Sequence, residues 1–306
     1  MEEQMDSIVE NEEAVKPAKK KLKRHFFLSV MGIAFLIILV GQIIGEILMG
    51  IVGGLLPSVS NGVLFLFQYL SFVGIDILVV VYCLLAEKDT FRAFLHGKGG
   101  GMRGNTLKNF VLGLLIGFVM NGSCALIAWL HGDIDLSVGR FNLLYLLGAL
   151  VAVCVQSGAE ELVTRGYMMS ALRERYNAWV AIAVNSLFFG VLHLLNPGIT
   201  VFSVLEIVLI GFALSLIVYY LDSLWMCIAI HTAWNYTQNI LLGLPNSGIV
   251  SEESFLHLEA AKGSLLYDAT FGIEGSITAV IVTGLLAVGV YLYARKKKNR
   301  QICKPA

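Results

Sequence analysis

Long apolar runs, broken by short polar segments, make up most of the chain. A helix needs ~20 mostly apolar residues to cross a bilayer. Eight runs reach or approach that length: Phe26–Ile47, Val63–Ala86, Leu107–Leu130, Asn142–Leu162, Ala178–Leu195, Ile199–Leu221, Leu224–Leu244 and Ile277–Ala294. The pattern predicts an all-α fold, a polytopic transmembrane helical bundle of about eight spans. The first run has no small-residue cleavage site followed by a soluble domain, so it reads as a retained helix.

Composition narrows this further. Of 306 residues 57% are apolar and 14% charged, against ~25% charged in a soluble domain, and the mean hydropathy is +0.76. One soluble core could not enclose that much apolar surface. The 22 basic and 22 acidic residues balance, which argues against a nucleic-acid partner and leaves the lipid bilayer as the surroundings. The five cysteines, Cys83, Cys124, Cys154, Cys227 and Cys303, form no CxxC pair, so neither a disulfide framework nor a thiolate zinc site is indicated.

Basic residues mark the cytoplasmic side of a membrane protein. In an eight-span reading, 20 of the 22 fall on one side: in the N-terminal tail, after span two, after span four (Arg165, Arg173, Arg175) and in the C-terminal tail. Only Arg140 and Lys262 fall on the other, with Asp133, Asp135, Glu252, Glu253, Glu259, Asp268 and Glu274. Both termini are therefore expected in the cytoplasm. The predicted organisation is a polar tail (1–25), accessory transmembrane helices (26–141), a core (142–244), an extracytoplasmic loop (245–276) with room for a short amphipathic helix, and a final helix with a basic tail (277–306).

Ionisable groups inside a bilayer cost roughly 2.5–3.5 kcal/mol each at a helix centre. Those inside the runs are Glu46, Asp76, Glu160, Glu161, His193, Glu206 and His231, with Arg165 and Asn235 close by. Glu161 and Arg165 are four apart and can pair on one helix face, which leaves Glu160 without a local counter-charge. Taken singly, the acids read as an interfacial cluster ending a helix, and His193 as a packed histidine. His231 and Asn235, again four apart, share a face. Together they are a Glu pair, a His and a His/Asn pair from three helices, which a bundle can bring to one cavity. Glu with His can polarise a water, and His with Asn can donate hydrogen bonds to an oxyanion. Those are the parts that peptide-bond hydrolysis needs.

EExxxR (Glu160, Glu161, Arg165), FxxxH (Phe189, His193) and HxxxN (His231, Asn235), in this order on separate apolar helices, resemble the type II CAAX prenyl endopeptidase family, also called CPBP or Abi. The resemblance covers about Leu143 to Leu244. It implies an intramembrane endopeptidase in which Glu160 activates water with help from His193, His231 and Asn235 stabilise the oxyanion, and Glu161 and Arg165 support the site. The partner implied is a peptide or membrane-protein substrate. The short tails and basic N-terminus suit a multi-pass protein of a bacterial plasma membrane. No cofactor is expected to be required; a zinc ion, if bound, would sit on Glu160, His193 and His231. The competing readings are a non-catalytic membrane regulator or immunity protein, and a proton- or cation-coupled transporter. Substrate and water are expected to reach Glu160 from the cytoplasmic side, past Leu162 and Thr164. One tension is visible. At ~1.5 Å per residue, His193 lies ~22 Å from Ala178, His231 only ~10 Å from Leu224, and Glu160 near the end of its span. A shared site requires span five to begin later or tilt, or Arg173–Val180 to lie on the surface.

Overall fold

Ser, Thr and Asn stand immediately before helix after helix, and their side chains accept the first free backbone N–H groups, as N-caps do. Thr106 accepts from Asn109 N, Asn142 from Tyr145 N, Asn177 from Val180 N and Ser223 from Met226 N, while Thr200 and Ser203 form a reciprocal capping box. The computed structural model describes residues 26–97, 101–139, 141–251 and 253–302. The predicted polar tail (1–25), Lys98, Arg140, Glu252, Cys303 and Lys304 lie outside the described residues.

Eight apolar helices form among the described residues. They are α1 (Phe27–Gly54), α2 (Asn61–Ala86), α3 (Leu107–His131), α4 (Leu143–Arg173), α5 (Ala178–Leu192), α6 (Val201–Leu221), α7 (Leu224–Asn235) and α8 (Ile277–Ile302). Six, all but α5 and α7, are long and apolar enough to cross a membrane, as befits a multi-pass integral membrane protein. On α4, Leu144, Leu147 and Val151 face outward while Tyr145, Ala149, Ala152 and Val153 are buried. With lipid as apolar as any leucine, such helices associate by close packing of small residues. Gly41 and Gly45 of α1 do this against α2, where added Cβ atoms would strike Ile75 and the Ser71 carbonyl. Gly113 and Gly117 of α3 do it against Ala229 and Ala233 of α7.

The structure corrects the sequence reading in three places. The fold is not purely α: β1 (Ile134–Val138) pairs antiparallel with β2 (Leu256–Ala261). The second strand lies in the long loop where a short helix was expected. Its partner is more than 100 residues away in sequence, beyond the reach of local periodicity. Second, span four does not end at Leu162. It continues through a π-helical stretch, Leu162–Met168, to Arg173. Third, Arg165 is therefore not a loop residue; it is 0% exposed in the bundle.

That longer α4 removes the depth tension. Counted at ~1.5 Å per residue, Glu160 lies roughly 20 Å from Arg173, which matches His193 counted from Ala178. The start of α7 is itself submerged. Ser223 and Leu224 are fully buried beneath the segment before α3, where Leu224 N and Trp225 N donate to Asn105 Oδ1 and Trp225 Nε1 donates to the Phe94 carbonyl. His231 thus sits deeper than its distance from Leu224 suggests.

Candidate active site

The two helices that carry the paired motifs change pitch just after them. The α-helical part of α4 gives way at Leu162, directly after Glu160 and Glu161, and α7 gives way at Tyr236, directly after Asn235, to a π-helical turn Tyr236–Leu241. Such wide turns alter which side chains share a face and recur at functional sites. Here they let Arg165 fold back toward Glu161 while Glu160 looks into the bundle.

Arg165 Nη1 donates to Glu161 Oε1 at 2.9 Å and to Thr164 Oγ1 at 2.9 Å, and its guanidinium lies 4.3 Å from the centroid of the Phe189 ring. The same Glu161 oxygen accepts from His231 Nδ1 at 3.1 Å. Glu161 thus ties α4 to α7, and Arg165 ties both to α5. His231 Nε2 is left to face Glu160, 3.8 Å from Oε2. Phe189 packs edge-on against His231 (6.1 Å between centroids) and, tilted, against His193 (4.8 Å). His193 Nδ1 donates to the Phe189 carbonyl at 2.8 Å, which fixes the tautomer and leaves Nε2 as an unprotonated acceptor in the neutral ring.

Glu160 has one oxygen anchored and one free. Oε1 accepts from Gln156 Nε2 at 2.6 Å, whereas Oε2 is buried with no hydrogen-bond partner. The residue lines a cavity of about 300 Å³ together with Gln156, His193, Glu206, His231 and Asn235, among others. Glu160, His193, His231 and Asn235 are thus brought to one space, with Glu161 and Arg165 behind it.

The cavity also draws on elements outside 142–244. Ile38 of α1 and Gln68 and Tyr69 of α2 line it, as do Asn246, Ser247 and Glu274 of the long loop. Of the residues on the expected access route, Thr164 is buried and lines the cavity, while Leu162 is half-buried. Glu206 lines the cavity floor and accepts from Thr283 Oγ1 of α8 at 3.0 Å. Asp76 and Glu46 stay outside. Asp76 lies beside Gly158, and Glu46 accepts from Gln42 and Ser71.

Three groups escaped the sequence reading. Gln156 carried a signal, being one helical turn before Glu160 on the same face. Asn246 and Glu274 carried none, because a loop has no period from which to read facing. Glu274 is caged by Trp234 Nε1, Asn246 Nδ2 and the backbone and side chain of Ser247. Burial pushes its carboxyl above the usual range, against the pull of the Ser247 hydroxyl and of His193.

A metal ion needs several ligands converging within bonding distance. Among the described residues no group of three or more His, Cys, Asp or Glu converges in that way, so Glu160, His193 and His231 as placed do not fit a zinc site.

Residues 142–237 match the family of type II CAAX prenyl endopeptidases, Rce1-like. The match runs from the cap of α4 to just past Asn235. No curated protein matches the chain.

Proposed function

We propose that this protein is an intramembrane endopeptidase that hydrolyses a peptide bond in a membrane-associated peptide or protein. The observation that supports the reading is a half-buried Glu160 that lines one cavity together with His193, His231 and Asn235, with its Oε2 in no hydrogen bond. A water bound at the Glu160 carboxylate gives one proton to it as the water oxygen attacks the carbonyl carbon. The carbonyl oxygen becomes an oxyanion, which accepts from Asn235 Nδ2 and, when His231 is an imidazolium, from its Nε2–H. His193 Nε2 accepts the second water proton as a hydrogen bond. Glu160 then hands its proton to the leaving nitrogen and the C–N bond breaks, giving an amine and a carboxylic acid whose remaining proton passes to the amine or to water. The Rce1-like domain contains every residue named here, and Glu161 with Arg165 keeps the two outer helices in register.

The test compares the termini of all membrane proteins in cells carrying the wild-type chain and in cells carrying Glu160→Ala. Termini that vanish with Glu160→Ala identify the substrate. Identical terminal profiles, with both proteins accumulating, would overturn the reading.

The orientation we propose has eight spans and both ends in the cytoplasm, following the basic-residue asymmetry. That asymmetry survives the removal of Arg165 to the interior. Reporter fusions after Leu56, Gly132 and Ser264 should then read as external and one after Gly100 as internal; an internal Ser264 fusion would reverse the assignment.

We also propose that catalysis proceeds without zinc. Active, detergent-purified protein should contain well under one zinc per chain and should keep its activity in a chelator. Stoichiometric zinc, with activity lost on chelation and restored by the metal, would make His193 and His231 ligands instead.

A further inference from the structure

A line of carboxamides joins the long outer loop to Glu160. Asn246 Nδ2 donates to Glu274 Oε1 at 2.8 Å and to Asn235 Oδ1 at 3.3 Å. Asn235 Nδ2 donates to Gln156 Oε1 at 3.2 Å, and Gln156 Nε2 donates to Glu160 Oε1 at 2.6 Å. All four hydrogen bonds belong to buried or half-buried groups.

A carboxamide has an oxygen that only accepts and a nitrogen that only donates, while a carboxylate only accepts. Which way each amide points is therefore set by its neighbours. Glu274, caged by donors, can take only the NH2 side of Asn246. The second proton of that NH2 falls on Asn235 Oδ1. Asn235 cannot turn over without setting NH2 against NH2, so its own NH2 points away, one proton to Gln156 and one left for the cavity. Gln156 favours the same orientation from the other end, since its NH2 is held by Glu160 and it presents Oε1 to Asn235; the opposite orientation would break both contacts and set a carbonyl dipole against a developing oxyanion.

We infer that Asn246, held by Glu274, is a positioning residue that, with Gln156 at the other end of the line, fixes the amide orientation of Asn235 and so aims the donor of the oxyanion site. The inference rests on the proposed peptidase reading and places part of the catalytic apparatus in the loop outside the Rce1-like domain. Asn246 touches no reacting atom; it acts through Asn235.

The experiment uses the purified full chain and a peptide spanning a Glu160-dependent cleavage site identified in the membrane terminal profiles. Asn246→Asp keeps the size but replaces the donor by an acceptor, which draws the Asn235 NH2 away from the cavity. It is expected to lower kcat by about 10²-fold, the order of one lost oxyanion donor, with KM within about twofold. Combined with Asn235→Ala it should cost no more than Asn235→Ala alone, because both remove the same donor. Asn246→Ala, which introduces no charge beside Glu274, guards against a loosened loop and should lower kcat by a smaller factor, again at constant KM. Losses that multiply in the double variant, a loss carried by KM, or wild-type kcat in both Asn246 variants while Asn235→Ala is impaired would each overturn the inference. Failure of the peptidase reading looks different: no Glu160-dependent terminus exists, or Glu160→Gln cleaves as well as the wild type, and the inference then falls with it.

Discussion

Glu160→Gln should lower kcat by about 10²- to 10⁴-fold, the range that a positioned general base contributes, with little change in the amount of protein in the membrane. The geometry makes this a clean substitution. Glu160 Oε1 accepts from Gln156 Nε2, and the carbonyl of a glutamine at this position can accept the same bond. The NH2 then takes the place of Oε2, which has no hydrogen-bond partner and only the 3.8 Å approach of His231 Nε2, so no existing hydrogen bond is lost on that side. What disappears is the ability to take a proton from water. Turnover of the purified variant should therefore fall while its thermal transition stays close to that of the wild type. Near-normal cleavage by purified Glu160→Gln protein would remove Glu160 from the mechanism. A collapse of accumulation would show instead that Glu160 holds the bundle together.

How much of this was legible beforehand follows from what each feature depends on. Helices set by length of apolar run, such as Leu107–His131 and Val201–Leu221, were visible because lipid-facing and core-facing positions are both apolar and a span is simply long. The end of α4 was misplaced for the same reason. A pattern reading takes the first cluster of charge as the membrane boundary, whereas Glu161 and Arg165 cancel one another internally and travel with the helix into the core. Ile134–Val138 and Leu256–Ala261 make a ladder across the sequence, and each strand alone is too short to announce itself. The motif residues were legible because ionisable groups are rare in apolar runs and their four-residue spacings declare a face. The residues that orient them were not. Asn246 and Glu274 are polar residues in a polar loop, where nothing distinguishes a buried partner from a solvated neighbour until the chain has folded.

Arg165→Ala should destabilise the protein by about 3–5 kcal/mol, the range for breaking a buried ion pair from one side. Arg165 and Glu161 are both 0% exposed, with 2.9 Å between Nη1 and Oε1. Truncating the arginine leaves the Glu161 carboxylate with His231 alone, opens a void over the Phe189 ring and empties the space that Gly211 yields to Nη2. Three helices, α4, α5 and α7, lose a common anchor at once. The consequence is lower accumulation and a lower thermal transition in detergent, with activity falling because the folded fraction falls and because His231 loses its orientation. Replacing both members, Glu161→Gln with Arg165→Met, removes the two charges together and should be less damaging to stability than Arg165→Ala alone, since no uncompensated charge remains. That ordering separates an ion-pair anchor from simple packing: if Arg165 acted only by filling volume, the single and double variants would rank by the volume removed and the charge on Glu161 would be irrelevant. An Arg165→Ala protein that melts with the wild type would show that the buried pair contributes nothing to holding the three motif helices together.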